Sequence, residues 1–63
     1  MYAIKILREK TGMTQEGLSQ MMNIDRSTVA KWETGEAAPR TDKLPELARI
    51  LHCSIDDLFQ VTG

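Results

Sequence analysis

The feature that most constrains this chain is its punctuation. Residues that end or cap helices recur at short intervals: Gly12 after Lys10-Thr11, Asn23 after Met21-Met22, Gly35 after Glu33-Thr34, Pro39 in a loop, and His52-Cys53-Ser54 interrupting the last apolar pattern. The segments between them are short, and their apolar residues recur at helical rather than alternating spacing. Five short helices and no strand are predicted, packed as one all-α domain over residues 1–63. A chain of this length buries only about 60% of the surface it exposes when unfolded, which excludes a second core. A lone cysteine, Cys53, rules out an intrachain disulfide, so packing must hold the fold together. No apolar run approaches the roughly 20 residues of a membrane span. The chain reads as cytoplasmic, with no membrane partner.

The first predicted helix, about 2–10 and so opening at Tyr2, puts Ile4 and Leu7 on one face with Ala3 and Ile6 flanking them. Lys5, Glu9 and Lys10 turn to water, and Gly12 supplies the left-handed residue that ends the helix. Thr14 caps a second helix that runs to about 22 and offers Leu18, Met21 and Met22 to the core. Gly17 in its first turn costs roughly 0.5–1 kcal/mol relative to alanine and stands where a glutamate would complete a capping box with Thr14. Asp25 caps a third helix from 26 to about 34, with Val29 and Trp32 inward and Gly35 closing it. After a loop over 35–41, a fourth helix opens with Asp42 as cap and Pro45 in the first turn; Leu44, Leu47, Ala48 and Leu51 form its buried stripe. Ser54 and Asp57 make a capping-box-like start to a short fifth helix bearing Ile55, Leu58 and Phe59.

The second and third helices are the informative pair. Only Asn23-Ile24-Asp25 separates them, and a tight helix-turn-helix makes definite demands on its residues. Leu18 anchors the first of the two. The next side chain must be small, where the backbones come closest, and Ser19 is. Asn23 tolerates the positive φ of the turn, Ile24 plugs the corner, and Val29 and Trp32 pin the second helix. On the same third helix, at 100° per residue from Arg26, Glu33 falls near about 340° and faces inward, where Arg8 can pair with it.

With these residues in place, the chain resembles the Cro/phage-repressor type (Xre-like) helix-turn-helix domains over residues 4–59. The resemblance rests on Leu7-Arg8 with Gly12, Thr14-Gln15, Leu18, the turn, Ser27-Thr28-Val29-Ala30-Lys31-Trp32-Glu33-Thr34-Gly35, Pro39, Leu44, Leu47-Ala48, Leu51 and Ser54-Ile55-Asp56-Asp57-Leu58. It implies a five-helix, lambda-repressor-like DNA-binding domain whose third helix enters the major groove, and it supports the pairing of Arg8 with Glu33. Gly17, Ser19, Asn23 and His52 depart from the glutamate, alanine and two glycines common in the family. None of the four lies on the surface that would face DNA.

Val29 and Trp32 fall at about 300° and 240° on the third helix, so its core side centres near about 270°. The opposite side carries Ser27, Ala30, Lys31 and Thr34, with Arg26 at the N-terminal edge, the end that approaches base edges in this motif. Arg26 and Ser27 are the first candidates for base reading. Arginine presents two donors to guanine O6 and N7, a contact worth about 1–3 kcal/mol of discrimination, and serine suits several bases. Lys31 lies a turn further along, and Ala30 is small enough to let the helix sit deep against a thymine methyl. Phosphate contacts are expected from Thr14 and Gln15 at the N-terminus of the second helix, from Thr28, and from Arg40 and Lys43 around the start of the fourth.

Eight basic residues against nine acidic ones give a formal net charge of −1, which by itself argues for neither nucleic acid nor membrane. Residues 1–25 hold three bases and three acids, 26–43 four and three, and 44–63 one and three. The acidic surplus therefore sits in the last two helices. Weak sequence-independent binding is expected, with specificity resting on the third helix.

Two functions compete. The expected one is a sequence-specific transcriptional regulator, a repressor, bound to a pseudo-palindromic double-stranded DNA operator as a homodimer. A single small module has too few contacts for the usual specific affinity of about 10⁻⁸ M or tighter. Leu58, Phe59 and Val61 are the candidate dimer contacts. The alternative is an antitoxin-like or anti-repressor interaction module that keeps the fold without specific DNA binding. The net negative charge favours it; Arg26, Lys31, Arg40 and Lys43 oppose it. The sequence also suits the DNA-binding part of a longer regulator. No metal, cofactor or small-molecule ligand is expected, and no catalysis: His52 and Cys53 diverge at a helix end, and Asp56 and Asp57 suit a helix N-terminus.

Overall fold

The computed structural model describes residues 3–59. Its helices are α1 (Ile4–Lys10), α2 (Gln15–Met22), α3 (Arg26–Thr34), α4 (Leu44–Ile50) and α5 (Ile55–Leu58), and a 3-10 turn, Thr41–Lys43, runs directly into α4. The predicted five-helix, all-α architecture is the one observed, with no strand among the described residues. Tyr2, expected in the first helix, lies outside them.

Helices stop where the chain supplies a residue able to turn left-handed. Gly12 follows α1 at φ 75°, Asn23 follows α2 at 60°, Gly35 follows α3 at 84°, and His52 follows α4 at 56°. At Asn23 the amide donates to Gln20 O and the next amide, of Ile24, reaches Ser19 O at 2.9 Å, so two of the last four carbonyls of α2 are satisfied inside the turn. Starts are equally local. Thr14 Oγ1 accepts from the Gly17 amide at 2.9 Å. Ser54 and Asp57 close a full capping box, with bonds of 3.1 and 3.2 Å. A Cβ at Gly17 would come within 3.2 Å of Thr14 Oγ1, so a glutamate there must push on the cap it is meant to complete.

Two expected caps differ. Asp25 holds the N-cap position of α3, but its side chain makes no capping bond. Asp42 is not the cap of α4: it lies inside the 3-10 turn, and α4 opens one residue after Lys43 with Pro45 in its first turn. Proline suits a first helical turn whatever precedes it, so it locates the start without specifying the cap. The tighter turn ahead of α4 directs the Asp42 carboxylate to Arg40 instead.

Ile4, Leu18, Met22, Val29, Leu47, Leu51 and Leu58 are fully buried, and Trp32, Leu44 and Ala48 complete the core. Leu7, Met13, Ile24, Ile50 and Cys53 pack around it. Met21, expected in the core, is 57% exposed. Leu18 and Met22, four apart, take the inner face of α2, and the residue before Met22 points about 100° away. Ile6, expected beside the core, is exposed for the same reason on α1. The Ala3 amide donates to Leu58 O at 3.0 Å and ties the start of α1 to the end of α5.

Candidate nucleic-acid interface

Two buried side chains set the orientation of α3. Val29 and Trp32 are both inside, so the opposite face of the helix turns outward: Arg26, Ser27, Lys31 and Thr34 are exposed, and Thr28 and Ala30 are half-buried. The face expected to read bases is thus on the surface, with Arg26 at the first position of the helix. Buried Ser19 donates its hydroxyl back to Glu16 O at 2.7 Å, which satisfies its polar atom where α2 packs on α3.

A polar cluster fixes the frame beneath this face. Arg8 Nε lies 2.6 Å from Glu33 Oε2, and Arg8 Nη2 donates to Glu33 Oε1 at 3.2 Å, a forked contact with both side chains nearly inaccessible. Arg8 Nη1 donates to the Met13 carbonyl at 2.7 Å, and Gln15 Nε2 donates to Glu33 Oε1 at 2.9 Å. One carboxylate on α3 therefore holds α1 and the first residue of α2. Burial pushes the Glu33 carboxyl up, but the hydrogen bonds from Arg8 and Gln15, with the charges of Arg8 and Lys5, outweigh it and hold the carboxyl below its ordinary value. The hydrogen bond to Glu33 raises Arg8 in turn, against the effect of burial.

The pairing of Arg8 with Glu33 is the one expected from the inward place of Glu33 on α3 together with the family resemblance; the roles of Met13 and Gln15 were not read from the sequence. Gln15 carries a usable signal, since it precedes buried Leu18 and Ser19 by three and four residues and so shares their face of α2. Its amide nitrogen has a second hydrogen beyond the one given to Glu33, and that hydrogen is the donor left for a phosphate. Thr14 is exposed; its Oγ1 accepts from the Gly17 amide, and its O–H remains as a donor. Gly17 and Leu18 donate to Thr14, at 2.9 and 3.0 Å, leaving the amides of Gln15 and Glu16 as first-turn donors without an intrahelical partner. Arg40 is exposed and Lys43 half-buried at the entrance to α4; Arg40 Nε lies 3.6 Å from Asp42 Oδ1.

The C-terminal side differs from expectation. Leu58 is wholly inside the core and has no surface to offer a second copy. Phe59 is exposed, and Val61 lies outside the described residues. Cys53 packs beside the core, where burial, with Asp57 adding to it, pushes its thiol up. Among the described residues no group of three or more His, Cys, Asp and Glu side chains is placed to hold a metal ion, and no helix is long and apolar enough to cross a membrane.

A short three-residue turn, a second helix anchored by its inner face and a polar outer face together define a helix-turn-helix domain. The chain belongs to the helix-turn-helix family of the Cro/phage-repressor type, whose profile matches residues 4–58. Over 56 residues it is 36% identical to an uncharacterized HTH-type transcriptional regulator of Archaeoglobus fulgidus, covering 89% of this chain and 80% of that protein. A second such regulator from the same organism is 34% identical over 56 residues, 89% of this chain and 79% of the relative. The HTH-type transcriptional activator BcrR of Enterococcus faecalis is 31% identical over 53 residues, 84% of this chain but only 26% of the activator. The chain thus spans about four fifths of the archaeal relatives and about a quarter of the activator. The family is one of DNA-binding transcriptional regulators, and this chain carries its DNA-binding fold.

Proposed function

We propose that the chain is the sequence-specific DNA-binding module of a transcriptional regulator, acting in the cytoplasm and reading the major groove with α3. The observation that carries this is the exposure of Arg26, Ser27 and Lys31 on a helix whose inner face is anchored by Val29 and Trp32. Arg26 and Ser27 read bases, Ala30 lets the helix approach, and Lys31 reaches a base or a phosphate further along. Thr14, Gln15, Thr28, Arg40 and Lys43 hold the backbone.

The described fold measures 29 × 23 × 22 Å, shorter than the roughly 34 Å between successive half-sites on one face of DNA, so one copy reads one half-site. Two copies on a pseudo-palindromic operator supply the missing contacts, as a homodimer at least on DNA. Repression by occupancy is the proposed outcome, because excluding another protein from the same duplex requires nothing beyond binding. The Enterococcus relative is named an activator, and most of that protein lies outside the match.

Selection of bound duplexes from random sequence at moderate salt tests the reading. Enrichment of a palindrome is expected. No enrichment at any protein concentration overturns it in favour of an interaction module that keeps the fold. With the operator in hand, Arg26→Ala should relax one position in each half-site, at a cost of about 1–3 kcal/mol. Lys43→Ala should weaken all sequences alike and flatten the salt dependence by about one unit of slope. Equal, sequence-independent losses from both substitutions would remove Arg26 from the base-reading set.

A further inference from the structure

The basic residues assigned to phosphate contain their own competitor. The 3-10 turn Thr41–Lys43 is closed by the Lys43 amide, which donates to Arg40 O at 2.9 Å. That tightening brings Asp42 Oδ1 to 3.6 Å from Arg40 Nε, with both side chains largely in water. The Asp42 carboxylate thus lies against Arg40, one of the two cations assigned to phosphate at the entrance to α4.

We infer that Asp42 is an intramolecular stand-in for a DNA phosphate: it competes with the backbone for Arg40 and limits how tightly the module holds DNA of any sequence. The inference rests on the DNA-binding reading above. An exposed pair of this kind is weak and exchanges readily, so a phosphate can displace the carboxylate. The exchange has two opposing effects. The Arg40–Asp42 attraction is given up, and the Asp42 charge is left beside the phosphate that replaced it. Neither effect depends on base sequence, so both act on the electrostatic term that dominates non-specific binding. A regulator competes for its operator against an excess of random sites, and a brake on that term keeps more of the protein unbound and available.

The test is binding of the wild-type chain, Asp42→Asn, Arg40→Ala and the double variant to a random-sequence duplex across a salt series. Asp42→Asn is expected to tighten binding about three- to five-fold at low salt, with the gain shrinking as salt screens the Asp42 charge. In the Arg40→Ala background most of that gain should disappear. An unchanged affinity on Asp42→Asn overturns the inference, as does a gain that survives in full without Arg40. A wild-type chain that binds no duplex even at low salt overturns the DNA-binding reading, and this inference with it. A wild-type chain that binds while Asp42→Asn gains nothing overturns this inference alone.

Discussion

Arg8 and Glu33 meet at 2.6 Å with side chains 10% and 4% exposed, whereas Arg40 and Asp42 meet at 3.6 Å with side chains 83% and 67% exposed. Both are arginine–carboxylate pairs, and their environments give them opposite consequences. The buried pair spans 25 positions of the chain, accepts a third donor from Gln15 and leaves no buried side-chain polar atom unpaired among the described residues. Breaking it strands a charge out of water. The exposed pair is local, and either member is hydrated at once if the other leaves. One contact is a fastener between helices and the other is an exchangeable counter-ion.

The largest way to break this contrast is Glu33→Ala. Among the described residues it leaves the buried Arg8 guanidinium with only the Met13 carbonyl to accept from it and deprives Gln15 of its acceptor, at a cost of about 3–5 kcal/mol. A chain of 63 residues has roughly 3–9 kcal/mol in total. The variant should therefore be largely unfolded or barely folded by circular dichroism and urea titration. Arg8→Met combined with Glu33→Leu should recover much of the loss, because no charge is then left buried. A double variant as unstable as Glu33→Ala would mean that the hydrogen bonds to Met13 and Gln15, and not the stranded charge, dominate.

Acid probes the same pair more gently. The Glu33 carboxyl is held below its ordinary value of 4.5, so the folded state binds its proton less readily than the unfolded state. Its contribution is fully present above the unfolded value and is lost as pH falls through the folded one. The difference in urea midpoint between the wild-type chain and Glu33→Gln should be constant near neutrality and shrink below about pH 4.5. A difference that persists unchanged to the acid end would assign the stabilisation to packing instead of charge.

The two pairs also mark what the sequence makes legible. Helical projection from Arg26 puts Val29 and Trp32 inside, turns Glu33 inward toward α1, and leaves Arg26, Ser27 and Lys31 outside; the packed helix keeps that arrangement because one rigid period governs all its side chains. Both ends of α2 and the start of α5 were readable for a similar reason, since caps and left-handed residues act within four positions. Met21 was not, because on an eight-residue helix Leu18 pairs with position 21 or 22 equally well by spacing, and only the neighbouring helices choose. The same limit hid the Arg40–Asp42 contact. Asp42 before Leu44-Pro45 has the pattern of a helix cap, and nothing local distinguishes a cap from a residue inside a 3-10 turn.

The exposed pair supplies the smallest effect and the sharpest contrast. Arg40→Ala and Asp42→Ala should each change folding stability by no more than about 0.5 kcal/mol, the usual range for surface substitutions that touch no cap or core. Among the described residues the Asp42 side chain makes no capping bond and the Arg40 side chain donates to no carbonyl, so neither has a second structural task there to lose. Glu33→Ala and Asp42→Ala each remove a carboxylate from an arginine. Their urea midpoints should differ by nearly the whole effect of the buried pair. A measurable destabilisation from Asp42→Ala would show that the turn before α4 depends on the contact, and Arg40 would then be a braced structural residue, no longer a cation that can be handed over to a phosphate.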